Sequence, residues 1–310
     1  MKMRVAEARD EPGGVRVFVL RHPLRDELPE PEPGSHVDIR LPDGRVRQYS
    51  LCGEPFDRSC YRIAVRRDAA GRGGSVWIHE NLHQGSEVHV SAPRNHFALD
   101  PDADDLVLVG GGIGITPLVP MARRLMRDGR RFELHYCARS EQDAPLLGEL
   151  RDLCGDRMRV WFSRGIAGRR FDPAAVLPKN RATAHVYCCG PSGLVEAVLK
   201  ATRSLPEGQV HVERFAPLAD DGYVPEAFQI GIASSGRTID VPASRTALEL
   251  LRENGFALAS SCEAGVCGTC ECGYREGDPV HRDAILDASS QKRRWIPCVS
   301  RARGRIILDL

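Results

Sequence analysis

Ten consecutive residues constrain this chain more than any others: Ser261-Cys262-Glu263-Ala264-Gly265-Val266-Cys267-Gly268-Thr269-Cys270. The cysteines are spaced C-x4-C-x2-C, and Cys298 stands far enough away to supply a fourth thiolate. That is the spacing of a loop holding a 2Fe-2S cluster. Two irons need four thiolates, and one tight loop presents three of them only if its backbone turns sharply, as Gly265 and Gly268 allow. Small residues there also let backbone N–H groups point at the sulfurs, which tunes a cluster. A zinc site is the competing reading, but zinc knuckles usually pair as C-x2-C. Cys272 falls outside the regular set and reads as a small buried hydrophobe.

The chain has 310 residues, enough for two or three domains at roughly 100–200 residues each. Basic and acidic side chains nearly cancel, 43 against 42, for a formal net charge of +1. Such a balance gives no support for a nucleic-acid partner or an anionic membrane surface. The most apolar stretch, Leu106–Ala122, is interrupted by four glycines and two prolines, and reads as no membrane span. The first residues carry no apolar segment of the kind that directs export. Eleven cysteines without an export signal therefore suggest a reducing, cytoplasmic setting and metal or redox chemistry. Core packing is the default for Cys52, Cys60, Cys137, Cys154, Cys188 and Cys189 as it is for Cys272.

Three regions differ in period. Up to about residue 100, short alternating runs (Val15–Leu20, Val37–Leu41, Tyr61–Arg66, Glu87–Ser91) are separated by Pro- and Gly-rich turns. Strands at this spacing suggest a sandwich or barrel, with one helix over Ser75–Leu82. From about 104 to 216 strands and helices alternate. Strands are expected at Leu106–Val109, Phe132–Cys137, Met158–Ser163 and His185–Cys188. Helices are expected at Pro117–Asp128, Ala144–Leu153 and Ser192–Thr202. The alternation reads as a doubly wound α/β domain. A polar stretch, Ala216–Pro225, reads as a linker. The third region carries strands Phe228–Ala233 and Arg237–Val241 about a Ser-Ser-Gly turn. A helix follows at Arg245–Asn254, ending at Gly255, and a last strand at Arg305–Leu310.

Short motifs sit at the joints of these elements. Arg47-Gln48-Tyr49-Ser50 follows a strand and a turn, and alternation puts Arg47 and Tyr49 on one face. Alone, it could be an ordinary strand. Arg72-Gly73-Gly74-Ser75 opens the first expected helix. Its backbone N–H groups can approach a phosphate, and Ser75 can cap the helix and donate to that phosphate; the plain alternative is a capped glycine turn. Gly110-Gly111-Gly112-Ile113-Gly114-Ile115-Thr116-Pro117 lies between a strand and a helix, with Pro117 suited to the first turn. It is not G-x-G-x-x-G. Cys189-Gly190-Pro191 ends another strand, and Glu213-Arg214-Phe215 ends the region.

Taken together, these motifs resemble the phthalate dioxygenase reductase family, whose members include vanillate demethylase and carnitine oxygenase reductases, along essentially the whole chain. The resemblance implies an antiparallel β-barrel flavin domain over 1–102 and a doubly wound α/β NAD domain over 103–216. A linker over 217–225 and a β-grasp, plant-type 2Fe-2S ferredoxin domain over 226–310 would follow. It implies that Arg47 binds the flavin phosphate with Arg72, Gly73, Gly74 and Ser75. Tyr49 would lie along the ribityl and ring, and Ser50 would approach N5. It places Gly111, Gly112 and Gly114 at the flavin–nicotinamide junction, with Thr116 reaching the flavin. Cys189, with Gly190 and Pro191, would face the flavin across the nicotinamide, and Phe215 would stack on the flavin ring. Cys188 is the less favoured of the cysteine pair. Phe215 could equally be a core or linker aromatic. Cys262, Cys267, Cys270 and Cys298 would hold the cluster.

In FMN members of that family the R-G-G-S turn closes on a terminal phosphate, whose extra charge Arg47 and Arg72 could meet. FMN is therefore the expected flavin. The donor is expected to be NADH. Arg139 beside Ser140 could grip a 2′-phosphate, which leaves NADPH open, but Glu141 and Asp143 would repel it. Hydride carries two electrons and a 2Fe-2S cluster takes one, so a flavin belongs between them. The implied function is the reductase of a Rieske-type oxygenase system, passing electrons to a separate terminal oxygenase. A haem monooxygenase or another one-electron acceptor is the alternative partner. A redox-sensing protein would need an effector domain, for which these three regions leave no residues.

Overall fold

The computed structural model describes residues 1–164, 170–177, 184–206, 208–215 and 222–310. The chain divides into two units, Met1–Arg214 and Phe215–Leu310.

The first unit opens with strands β1 (Lys2–Glu11), β2 (Val15–Arg21), β3 (Ser35–Arg40), β4 (Val46–Ser50) and β5 (Tyr61–Arg66). Helix α1 (Gly74–Asn81) and strands β6 (Glu87–Val90) and β7 (Arg94–Asn95) follow. They pair antiparallel in the order β4-β3-β6-β1-β2-β5, with β7 on β3. A bridge between Leu51 and Ile63 joins the ends into a barrel. Alternate residues point inward, so Met3, Val5, Phe18, Leu20, Val37, Ile39 and Ile63 fill it, with Ile78 of α1. Strand β1 has no counterpart among the expected elements. Its register shifts between Val5 and Glu7, and the residues after that shift are mostly exposed and charged, which breaks the period-two signal.

Still in the first unit, β8 (Asp105–Gly111), α2 (Leu118–Arg127), β9 (Arg131–Ala138), α3 (Leu147–Cys154) and β10 (Met158–Phe162) alternate. They are followed by α4 (Pro173–Val176), β11 (Ala184–Cys189), α5 (Ser192–Ala201) and β12 (Val210–Glu213). Among the described residues they form a parallel sheet ordered β10-β9-β8-β11-β12. The order reverses between β8 and β11, and the crevice at the carboxyl ends there is where open α/β sheets bind ligands. The expected helix over Ala144–Leu153 begins only at Leu147. Leu146 has a left-handed backbone, φ 59°, and its N–H is held by Glu11 Oε2 at 3.1 Å.

Barrel and sheet share a core. Val15, Val17, Cys52 and Phe97 pack in one cluster with Leu106, Ile115 and Leu118. A half-buried ion network spans the same join. Arg62 of β5 donates to both oxygens of Glu149 on α3, at 2.9 and 2.5 Å, and Arg123 of α2 adds a bond of 2.9 Å. Burial would raise the Glu149 carboxyl, but the two guanidinium groups hold it below the usual carboxylate value. The expected division near residue 102 falls between β7 and β8, where the core runs on without a break.

The second unit contains β13 (Phe228–Ile232), β14 (Thr238–Val241), α6 (Ala247–Glu253), β15 (Cys272–Val280), β16 (Arg294–Trp295) and β17 (Arg301–Leu308). The order is β14-β13-β17-β15-β16, with β13 and β17 parallel and the other pairs antiparallel. Helix α6 starts two residues after the expected Arg245. Thr246 is its N-cap, in a capping box with Glu249. Gly255, φ 89°, follows it in a Schellman turn, with Phe256 N–H on the Leu251 carbonyl at 3.0 Å. The last strand begins at Arg301, four residues before the expected start. Arg301 is 6% exposed and donates to the carbonyls of Glu226, Arg245 and Pro242. The expected linker 217–225 lies partly outside the described residues; residues 222–225 form no helix or strand.

Candidate functional site

The cysteine loop lies between α6 and β15. Three of its residues are left-handed: Glu263, φ 49°; Gly265, φ 72°; and Gly268, φ 69°. At Gly265 a Cβ would stand 2.6 Å from Val299 Cγ2, so only glycine fits. This curl turns backbone N–H groups onto the sulfurs. The Ala264 N–H reaches Cys262 Sγ at 3.3 Å, and the Cys262 N–H reaches Cys267 Sγ at 3.4 Å. Cys270 receives the Cys298 N–H, and Cys298 receives the Gly265 N–H. The thiols also pair. A bond from Cys262 pulls Cys267 down and pushes Cys262 up, and Cys298 stands to Cys270 in the same relation. Four soft donors, each met by an amide, with Cys270 and Cys298 packed beside the apolar Leu248 and Ile296, fit a 2Fe-2S cluster. Cys272 is excluded from this set. It is buried in the sheet core, its thiol faces the Trp295 carbonyl at 3.8 Å, and burial pushes it up to about 12.

In the first unit, Gly110, Cys189 and Glu213 lie side by side at the carboxyl ends of three adjacent strands. The glycine turn packs directly on the Cys189-Gly190-Pro191 turn. A Cβ on Gly114 would stand 2.4 Å from the Cys189 carbonyl oxygen, and one on Gly111 2.7 Å from Pro191 Cδ. Thr116 is buried, and its hydroxyl donates to the Ile113 carbonyl at 2.9 Å, which closes the turn; Pro117 sits at the N-cap of α2. A cavity of about 540 Å³ opens beside this joint, lined by Gly112, Ile113, Arg139, Trp161, Phe171 and Pro191. At its wall Arg139 Nη2 lies 3.0 Å from Asp143 Oδ1, and the Ser140 hydroxyl donates to Asp143 Oδ2 at 2.7 Å. Cys188 points to the other side of the sheet, among Val107, Val109 and Val186.

The barrel brings Ser50 to the same place. Glu213 takes bonds from the Cys189 thiol, at 3.8 Å, and from the Ser50 hydroxyl. Burial raises its carboxyl to about 8, against the pull of those two bonds. Burial likewise keeps the Cys189 thiol protonated. In the sequence Glu213 is only the start of the tripeptide Glu213-Arg214-Phe215. A four-residue strand, β12, places it, and nothing in the local pattern announces its partners. The sign of its effect on stability follows from linkage. The folded chain holds a proton here between about pH 4.5 and 8 that the unfolded chain releases, so stability contributed by this site falls as pH rises through that window. Glu213→Gln should therefore gain melting temperature relative to wild type progressively from pH 5 to 8, as followed by thermal unfolding. A constant offset across that range would show that Glu213 does not titrate there.

Strand β4 carries Arg47 and Tyr49 beside α1. Burial raises the Tyr49 phenol, which packs with Trp77 on the barrel core. Gly74 leaves room for the Arg47 side chain, since a Cβ there would lie 2.4 Å from Arg47 Nε and displace it. The Arg72 carbonyl accepts from Arg47 Nη2 at 3.3 Å. Ser75 is not the helix cap. Gly73, φ 74°, holds that position, and the Ser75 hydroxyl instead accepts the Asp68 N–H at 3.0 Å. Phe215 opens the second unit and is 43% exposed.

No helix among the described residues is long and apolar enough to cross a membrane. Residues 230–303 match the 2Fe-2S iron-sulfur cluster binding domain, and residues 108–200 match the oxidoreductase NAD-binding domain. The chain is 40% identical to the reductase subunit of tert-butanol monooxygenase / tert-amyl alcohol desaturase of Aquincola tertiaricarbonis, over 100% of this chain and 96% of that one. It is 36% identical to phthalate dioxygenase reductase of Burkholderia cepacia, over 100% and 97%. A solved phthalate dioxygenase reductase structure, described as modular for electron transfer from pyridine nucleotides to [2Fe-2S], superposes with a TM-score of 0.77 at 36% identity. It is covered over 100% of this chain and 98% of that one. An intact type IV self-sufficient cytochrome P450 monooxygenase superposes at 0.87 with 36% identity, over 100% of this chain and 41% of the larger one. An NAD-binding sheet joined to a barrel, a three-cysteine loop with a distant fourth cysteine on a second unit, and relatives matched from end to end make this chain an oxidoreductase of the phthalate dioxygenase reductase family.

Proposed function

We propose that the chain accepts hydride from NADH onto FMN and delivers single electrons through its 2Fe-2S cluster to a separate, Rieske-type terminal oxygenase in the cytoplasm. The observation that carries the hydride step is the joint of Gly114 on Cys189, with Ser50 and Glu213 behind it. Bound flavin would supply the conversion between two-electron and one-electron chemistry. The protein's own part is positional. The glycine turn would admit the nicotinamide, Pro191 would form part of its wall with Cys189 buried behind the turn, and Arg47 with the Gly73-Gly74 turn would hold the flavin phosphate. Asp143 already engages Arg139 and Ser140, so a 2′-phosphate would meet a carboxylate there. That arrangement favours NADH. None of the eleven cysteines is in a disulfide, in keeping with a reducing compartment.

The closer superposition on the P450 fusion supports a second reading, in which the acceptor is a haem monooxygenase. Steady-state assays test the donor: kcat/KM for NADH should exceed that for NADPH by about tenfold or more, the factor that roughly 1.4 kcal/mol of charge repulsion gives. A ratio favouring NADPH would overturn it. Mixing the reduced chain with a Rieske oxygenase and with a haem monooxygenase separates the acceptors. Rapid reduction of the Rieske centre alone supports the first reading, and of the haem alone the second.

A further inference from the structure

Arg45 lies two residues before Arg47 and belongs to no motif. In the structure its guanidinium crosses from the β3–β4 turn to α1. Its Nη1 donates to the Arg72 carbonyl, the same oxygen that Arg47 Nη2 engages at 3.3 Å. A Cβ on Gly73 would stand 3.0 Å from Arg45 Nη1, just as one on Gly74 would strike Arg47. Two guanidinium groups thus frame two consecutive glycines. Asp43 fixes the outer one, with Oδ2 2.5 Å from Arg45 Nη2 and 2.7 Å from Nε, and Oδ1 on the Arg45 N–H at 3.0 Å. The first turn of α1 contains no acidic residue. Two guanidinium groups against the single carboxylate of Asp43 leave a net positive charge at this turn, and both face the Arg72 carbonyl, so an anion able to accept from both is favoured there.

The geometry points to Arg45 as a second phosphate ligand that selects a phosphate monoester, FMN, over the pyrophosphate of FAD. This rests on the flavin reading above. A terminal monoester carries close to two charges and three acceptor oxygens, whereas each phosphorus of a pyrophosphate carries one charge and lends an oxygen to the bridge. A second guanidinium therefore gains more from FMN than from FAD, and nothing from riboflavin.

The full chain, stripped of flavin, is titrated with FMN, FAD and riboflavin by quenching of flavin fluorescence. Arg45→Gln should weaken FMN about 10- to 100-fold, the worth of a charge-assisted hydrogen bond, and FAD by less than about threefold. Riboflavin should be unchanged, and Arg45→Lys should fall between. Unchanged FMN affinity in Arg45→Gln, or an equal loss for riboflavin, would overturn the role of Arg45. A wild-type chain that binds riboflavin as tightly as FMN, or that releases FAD when denatured, would instead overturn the FMN reading itself.

Discussion

Cys270→Ser is expected to abolish the visible absorbance of the cluster and to reduce electron delivery to a one-electron protein acceptor to background, while NADH still reduces the flavin. Serine offers a hard oxygen of much higher pKa where iron needs a soft thiolate. Cys270 is also the sulfur that accepts from Cys298 and is buried in one cluster with Leu248 and Ile296, so no water can take its place cheaply. The loss stays local because the hydride joint belongs to the other unit, Met1–Arg214. Cys272→Ser provides the contrast. Its thiol faces Trp295 in the sheet core, so the cluster spectrum should survive and only stability should fall. Absorbance and low-temperature EPR of both variants decide the matter. A full cluster signal in Cys270→Ser would show that the ligand set is wrong.

Gly114→Ala should cut NADH-driven flavin reduction by two orders of magnitude or more. The added methyl group would stand 2.4 Å from the Cys189 carbonyl oxygen and 2.6 Å from the Gly190 nitrogen, both backbone atoms that cannot swing aside. The two turns must part by about 1 Å, and a misplacement of that size costs roughly 10²-fold in a reaction that depends on alignment. Overpacking adds about 1–3 kcal/mol of destabilisation. Gly193→Ala on α5, where a Cβ meets nothing within 4 Å, should leave both properties near wild type. Stopped-flow reduction by NADH, with dithionite reduction of the cluster as control, measures the effect. An unchanged NADH rate in Gly114→Ala would refute the claim that hydride passes at this joint.

What could be read from the sequence follows from how each element is buried. Strands β8 and β11 are buried on both faces, so they appear as largely apolar runs; β9 instead alternates Phe132, Leu134 and Tyr136 with Glu133 and His135, and the helices carry plain amphipathic spacing. The cysteine loop is legible because its spacing is its chemistry. Strand β15 is not: it contains Gly273, Gly277 and Pro279, is largely exposed, and owes its pairing to β17 through two register shifts. Helix α6 shows a readable capping box at Thr246 and Glu249, which sets its start better than the apolar pattern did. Ser75 is a cap-forming residue after two glycines, but the left-handed Gly73 takes the cap. Glu213 and Arg45 act through partners brought together by tertiary packing: Ser50 and Cys189 for Glu213, and the Gly73 turn, 28 residues further on, for Arg45. No local window contains either arrangement.

Anaerobic titration of the isolated chain with NADH, followed by absorbance and EPR together, tests the central claim most directly. If hydride enters at the Gly114–Cys189 joint and leaves as single electrons through Cys262, Cys267, Cys270 and Cys298, full reduction requires two electrons for the flavin and one for the cluster, about 1.5 NADH per chain. The EPR signal of a reduced 2Fe-2S cluster should grow with the added NADH. Flavin bleaching complete at about one NADH per chain, with no cluster signal at any excess of NADH, would contradict the account.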